Sequence, residues 1–191
     1  MKYKSVTIDT CVWLWVLDSK SPEASVLLDA CMKLGITIYV SSRVNSFDTV
    51  KMRSEQQERL EELKRKYGAK ITPAPFMFGS VYDEKITGST FGGVDFLGDL
   101  NESHRDKEFT RIVGQHPTKN PGALGSKASN HIGDYDSLRQ HYLSKIDAYI
   151  TSDTKVYFSE VNRRKYKDSL ELIIISPEEF LNDINSILKI E

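Results

Sequence analysis

Two aspartates follow apolar runs that are typical of buried β-strands, one near each end of this 191-residue chain. Asp9 comes directly after the run 5–8, and Asp153 comes directly after the run 148–152. Acids at the carboxyl ends of strands in an α/β sheet lie in the crevice where such folds bind ligands. Carboxylates gathered there need a proton or a divalent cation to offset their repulsion. The spacing therefore predicts a metal site.

Further acids are expected at the same edge of the sheet. Asp48 lies one turn into a helix predicted after the second strand, and Asp134 and Asp136 open a helix predicted before the strand that ends at Asp153. A helix that follows a parallel strand begins at the carboxyl edge, and so does the helix that leads into the next strand. Two carboxylates about 5 Å apart repel by roughly 3 kcal/mol at an effective dielectric of about 20. Hard oxygen ligands in this number predict Mg²⁺ or Mn²⁺.

Strands alternate with helices along most of the chain, which is typical of a mainly parallel sheet covered on both faces. We therefore predict an α/β fold, a three-layer α/β/α sandwich, formed by a single domain over residues 1–191. The predicted strands are 5–8, 36–40, 69–73, 148–152 and 170–175. The predicted helices are 10–17, 22–34, 46–67, 102–113, 134–145, 156–167 and a last one that begins at Pro177.

The segment 73–130 differs from the rest of the chain. It holds eight of the eleven glycines and four of the six prolines, and only one helix is predicted within it. A connection of this length inside a compact domain is usually functional. We interpret the segment as an insertion into the domain.

Composition sets limits on the partners. The chain is 39% hydrophobic and 28% charged, as in ordinary globular proteins, and its formal net charge is −1. No global positive field recruits nucleic acid, so such binding requires a local patch. The apolar run 6–17 is interrupted by Asp9 and is too short to span a bilayer. Cys11 and Cys31 have no metal or redox spacing and fit a reducing cytosol, so we expect a cytoplasmic protein with no membrane partner.

Three pieces of the chain together resemble a PIN domain, the nuclease fold of toxin–antitoxin ribonucleases and of several RNA-processing enzymes. The pieces are the run that ends in Asp9, the helix with Asp136, and Ile150-Thr151-Ser152-Asp153, which is similar to the strand-Thr-x-Asp signature of the family. Asp153 comes seventeen residues after Asp136, a usual interval in the family. The resemblance covers about two thirds of the chain, at both ends.

The resemblance implies a Mg²⁺- or Mn²⁺-dependent endoribonuclease that cleaves phosphodiester bonds of single-stranded RNA, with DNA left open as a substrate. It makes Asp9, Asp136 and Asp153 metal-binding acids and Thr151 a supporting hydroxyl. The second acid of the family is commonly a glutamate, and Asp48 fits that position with one methylene fewer. Asp134 is expected to serve as a helix cap or an outer partner of the site. The resemblance also leaves room for a homodimer, through the helix 46–67, and for an inhibitor protein.

Basic residues near the acids suggest how phosphates would be held. Arg43, Lys51 and Arg53 flank Asp48 and are placed to contact phosphates. The basic cluster 163–165 is instead expected to face solvent more than about 10 Å from the acids, because its helix descends from that edge at about 1.5 Å per residue.

Histidines and tryptophans are expected in structural or surface roles. The four histidines lack neighbours at metal-ligand spacing, so we expect surface roles for His104, His116, His131 and His141. His131 is the one near the acids in sequence. Trp13 and Trp15 lie in the first apolar helix, where core packing is expected.

Three other functions are open to comparison. A phosphatase of the haloacid dehalogenase type needs a second aspartate two residues after Asp9, where this chain has Cys11. A phosphate-binding P-loop lacks its glycine spacing around Gly125-Ser126-Lys127. The non-enzymatic alternative is a degenerate PIN module that binds RNA or protein as a scaffold. The aspartate at 48 and the long insertion leave this last alternative open.

Overall fold

The computed structural model describes residues 2–41, 52–72, 100–117 and 128–188. Outside these ranges lie three predicted site residues, Arg43, Asp48 and Lys51. Most of the predicted insertion 73–130 also lies outside them, and only its residues 100–117 and 128–130 are described. Within the described ranges no helix is both long enough and apolar enough to cross a membrane.

Five strands form one sheet in which every pairing is parallel. The strands are Ser5–Ile8 (β1), Thr37–Ser41 (β2), Lys70–Thr72 (β3), Ala148–Ile150 (β4) and Ile174–Ile175 (β5). Their order across the sheet is β3-β2-β1-β4-β5. From β1 the chain adds β2 and then β3 on one side, and it later adds β4 and β5 on the other side of β1. β1 and β4 are therefore neighbours in the sheet. Val6 of β1 is in register with Ala148 of β4.

Helices cover both faces of the sheet, which confirms the predicted three-layer α/β architecture. They are Thr10–Leu17 (α1), Pro22–Lys33 (α2), Ser54–Lys66 (α3), Leu100–Val113 (α4), Ala128–Leu143 (α5), Glu160–Leu170 (α6) and Pro177–Leu188 (α7). On one face α1, α2, α3 and α7 pack over a core that includes Val6, Ile8, Leu27 and Phe180. On the other face α4, α5 and α6 pack over an aromatic core around Tyr149.

Local signals in the sequence place several helix ends correctly. Ser21 accepts a hydrogen bond from Ala24 N and precedes Pro22, the first residue of α2. At α7 the hydroxyl of Ser176 accepts from Glu179 N, while the Glu179 carboxylate accepts from Ser176 N. This reciprocal pair is a capping box, and it satisfies two donors that the helix itself leaves unbonded.

Two predicted helices are wrong at their starts. The helix predicted at 46–67 begins at Ser54, because Arg53 has an extended backbone and forms the N-cap. The helix predicted at 134–145 begins at Ala128 and continues through Gly133. Asp134 and Asp136 therefore lie in the second and third turns of α5, and Asp134 cannot be its cap.

The region after β4 also differs from the prediction. The predicted helix 156–167 is a short 3₁₀ turn at Val156–Phe158 followed by α6, with Ser159 as an extended N-cap between them. The predicted strand 170–175 is only Ile174–Ile175, since α6 continues to Leu170 and Glu171 ends it in the left-handed conformation. Because α6 begins at Glu160 and not at Val156, every residue of α6 lies closer to the acid edge than the sequence had indicated.

Candidate active site

Asp9 and Asp153 lie at the same edge of the sheet, after the two strands that meet where the strand order reverses. Asp9 directly follows β1, and its backbone N–H donates to Ile150 O of β4 at 3.0 Å. Asp153 follows β4 by three residues. A crevice outside the carboxyl ends of the strands at such a reversal is where open α/β sheets bind ligands.

The Thr151 hydroxyl connects the two acids. Its Oγ1 donates to Asp9 Oδ2 at 2.6 Å and accepts from the backbone N–H of Asp153 at 3.0 Å. Thr151 is completely buried. One side chain thus fixes both the Asp9 carboxylate and the main chain at Asp153.

The Asp9 carboxylate is held by donors yet poorly solvated. Its Oδ1 accepts from Thr10 N at 2.8 Å, and its Oδ2 accepts from the Cys11 thiol at 3.2 Å as well as from Thr151. Asp9 is only 8% exposed, and this burial raises the pKa of its carboxyl, with the charge of Asp153 adding to the effect. A buried carboxylate of this kind favours a proton or a cation beside it.

Cys11 is a neighbour of the site to which the sequence assigned no role there. Ser152 Oγ donates to Cys11 Sγ at 3.0 Å, and the thiol in turn donates to Asp9. Burial and the nearby Asp9 raise the pKa of the Cys11 thiol to about 12. It therefore stays protonated and acts as a hydrogen-bond donor. The position of Cys11 two residues after Asp9, in the first turn of the helix, was the sequence feature that could have indicated this contact.

Asp136 is brought to the same edge by α5. Gln140 of α5 accepts from the hydroxyl of Ser41, the last residue of β2, at 2.7 Å. One turn earlier along the helix, Asp136 lies about 6 Å further toward the carboxyl edge at 1.5 Å per residue. Its side chain is 3% exposed.

His116 contacts Asp136, which no spacing in the sequence indicated. The His116 Nε2 and Asp136 Oδ1 atoms are 3.1 Å apart. Since an ionised carboxylate can only accept hydrogen bonds, the imidazole Nε2–H is the donor. His116 belongs to the segment 73–130, so the predicted insertion reaches the acid edge.

No protein-family model and no curated protein matches this chain. A similar solved structure is a chain of VapBC2 from Rickettsia felis bound to a DNA fragment from their promoter. It is 12% identical, the match covers 90% of this chain and 98% of that chain, and the TM-score is 0.49. At that identity and TM-score, nothing about the chemistry of this chain follows from the likeness.

The loop after Asp153 is held by α6. Arg163 Nη2 donates to Asp153 O at 2.8 Å, and its Nε donates to Phe158 O at 2.8 Å. The prediction that the whole cluster 163–165 lies far from the acids is therefore wrong for Arg163, because α6 begins four residues later than predicted. Arg164 does face solvent, where it pairs with Glu160 of the same helix.

The other aromatic and basic residues for which roles were predicted lie partly in the core and partly at the surface. Trp13 is buried in the core as predicted, and its indole N–H donates to Ile8 O at 3.2 Å. A surface role for His141 is wrong, since it is 1% exposed and lies against Thr7. The His131 ring packs edge-on against Tyr157. Arg53 is exposed at the start of α3.

A divalent cation fits the described side chains in part. Asp9 and Asp153 bring hard carboxylate oxygens to one edge of the sheet, and burial raises the pKa of Asp9 despite its three hydrogen-bond donors. Yet within 2–41, 52–72, 100–117 and 128–188 no three His, Cys, Asp or Glu side chains form a ligand group for a metal ion. Asp136 contacts His116 instead, and the predicted acid Asp48 lies outside the described residues.

Proposed function

We propose that this chain is a PIN-like, Mg²⁺- or Mn²⁺-dependent endoribonuclease that cleaves phosphodiester bonds of single-stranded RNA. One observation carries the proposal: Asp9 and Asp153 follow the two strands at the reversal of strand order, and Thr151 bonds to both. Acids placed in this way suit a cation site in an α/β sheet. The order of Asp9, Asp136, Thr151 and Asp153 along the chain also supports the PIN-like assignment.

The cation would be held by Asp9 and Asp153, with Asp136 as the third acid and Asp48 as a fourth from the segment outside the described residues. Such a cation activates water and offsets negative charge at the phosphate and the departing oxygen. Arg43, Lys51 and Arg53 would contact the phosphates of the RNA.

The described residues have roles of their own in this proposal. Thr10 N–H, the Cys11 thiol and the Thr151 hydroxyl fix the orientation of the Asp9 carboxylate. Because these donors are already in place, the carboxylate needs little rearrangement to act.

The test is cleavage of labelled single-stranded RNA by the purified chain with Mn²⁺. Asp9→Asn and Asp153→Asn should each lower the rate more than about 100-fold, because a lost cation ligand forfeits several kcal/mol of transition-state stabilisation. Asp168→Asn, which changes an exposed acid on α6, is the matched control and should cleave like the wild type. Cleavage that survives both site substitutions would remove this site from the proposal.

A degenerate PIN-like scaffold is the second candidate, because the described side chains do not form a three-ligand metal group. RNA binding without cleavage, unchanged by a chelator, would favour it. Single-stranded DNA in a parallel assay addresses the substrate. A homodimer and an inhibitor protein stay predictions of the family resemblance.

A further inference from the structure

The predicted insertion supplies a side chain to the acid edge. His116 lies three residues beyond α4, and its Nε2 is 3.1 Å from Asp136 Oδ1. The imidazole is only 13% exposed, and the carboxylate is 3% exposed. A hydrogen bond between two side chains this well shielded from water has a defined geometry.

The position of His116 is fixed by the chain on either side of it. Its ring packs edge-on against Tyr135, with centroids 5.1 Å apart. The Tyr135 hydroxyl donates to Gly114 O at 3.0 Å. Gly114 has a φ of 118°, which residues with a Cβ rarely adopt, so a glycine is required to turn the chain from α4 toward Asp136.

The helix that precedes His116 is bonded to the helix that carries Asp136. Arg139 Nε of α5 contacts Asp106 Oδ1 of α4 at 2.5 Å, and the Tyr142 hydroxyl donates to Glu108 at 2.9 Å. Phe109 of α4, completely buried, stacks on Tyr142. α4 is therefore an integral part of this layer, and His116 and Asp136 have a fixed relation to each other.

We propose that His116 is a positioning residue, which orients the Asp136 carboxylate for its role at the acid edge. The inference deepens the proposed function and rests on it. A hydrogen bond to Oδ1 fixes the plane of the carboxylate and therefore the direction in which its other oxygen points. Substitution of a residue that hydrogen-bonds to a metal ligand typically lowers metal affinity or activity by about 10- to 100-fold. The part of the chain that carries His116 would then be needed for full activity.

Three variants of the full chain test the proposal. His116→Ala removes the donor, and His116→Gln keeps an amide N–H near the position of Nε2. His104→Ala changes an exposed histidine of the same inserted helix and is the matched control. The measurements are kcat and KM for labelled single-stranded RNA with Mn²⁺, and the Kd for Mn²⁺ from electron paramagnetic resonance of the unbound ion.

Positioning predicts a specific pattern of results. His116→Ala should lower kcat or weaken Mn²⁺ binding by about tenfold or more with KM for RNA little changed. His116→Gln should recover most of the loss, and His104→Ala should match the wild type. An active wild type whose kcat and Mn²⁺ affinity are unchanged in His116→Ala would overturn this inference alone. A wild type that neither cleaves RNA nor binds Mn²⁺ would overturn the proposed function as well.

Discussion

Thr151 shows how much one buried hydroxyl can organise. A hydroxyl can donate and accept at once, and Thr151 does both, with Asp9 on one side and the Asp153 main chain on the other. A valine would have nearly the same shape but would leave Asp9 with one donor fewer. The position of both acids after apolar strands pointed to Asp9 and Asp153, and the resemblance to the strand-Thr-x-Asp signature implied a supporting role for Thr151.

Two contacts between residues far apart in the chain could not be predicted from the sequence. His116 and Asp136 are twenty residues apart, with no periodicity that links them. Cys11 was visible beside Asp9, but its bond to Ser152 depends on the pairing of β1 with β4. The acids at strand ends and the supporting Thr151 could therefore be predicted, whereas the contacts made by His116 and Cys11 could not.

His141 gives the fold a dependence on pH. Its Nδ1 is 2.8 Å from Thr7 Oγ1, and its ring packs edge-on against Tyr149. Burial lowers the pKa of His141 to about 3, below the ordinary value of 6.5 that it would have in the unfolded chain. The free energy of unfolding is therefore unaffected by His141 above pH 6.5 and decreases as the pH falls from 6.5 toward 3. In that range the unfolded chain takes up a proton at His141 and the folded chain does not.

Urea denaturation at pH 7 and pH 5 measures this effect. The wild type should lose about 2 kcal/mol more of its free energy of unfolding between these pH values than His141→Asn, which cannot take up the proton. Other groups, including Asp9 with its raised pKa, titrate in both proteins and cancel in the comparison. His104→Asn, at an exposed position, should keep the pH dependence of the wild type. Equal losses in wild type and His141→Asn would refute the assignment.

At the scale of elements, the loop between β4 and α6 is held in an unusual conformation. Val156 has a φ of 43°, which is strained for a β-branched residue and costs on the order of 1–3 kcal/mol. Asn162 Nδ2 donates to Val156 O at 2.6 Å, and Arg163 bonds to Asp153 O and Phe158 O. Side chains of α6 thus hold the loop that presents Asp153.

Arg163→Ala and Arg164→Ala form a matched pair that tests this role. Arg163→Ala should lower the free energy of unfolding by about 1–3 kcal/mol, because two carbonyl oxygens lose a charged donor, and RNA cleavage should fall with it. The Arg164 side chain is 75% exposed, so Arg164→Ala should change stability by less than about 0.5 kcal/mol. Equal effects of the two substitutions on denaturation and cleavage would contradict the role of Arg163.

Helix positions were predictable only where a cap or a stop stands in the sequence. Ser21 and Ser176 marked the starts of α2 and α7 because each precedes a proline. The start of α5 was misplaced because Asp134 is a residue type that often caps helices, whereas the helix begins at Ala128 and runs through it. The start of α6 was misplaced because nothing in the sequence indicated the strained turn at Val156.

At the scale of the whole molecule, the strand order decides which acids meet. Alternation of strands and helices predicted a parallel α/β sheet, and the two-sided packing confirms it. The order β3-β2-β1-β4-β5 depends on long-range pairing that no local pattern records. That order places β1 beside β4, and it is what brings Asp9 and Asp153 together at one edge.

Anomalous diffraction at the manganese absorption edge, from crystals of the full chain grown with Mn²⁺, tests this arrangement most directly. The expected result is an anomalous peak within direct coordination distance of the Asp9 and Asp153 carboxylates, absent from crystals of Asp9→Asn grown in the same way. A wild-type crystal with no peak at that edge, or with manganese bound only at other acids, would contradict the central claim that these two aspartates share a cation.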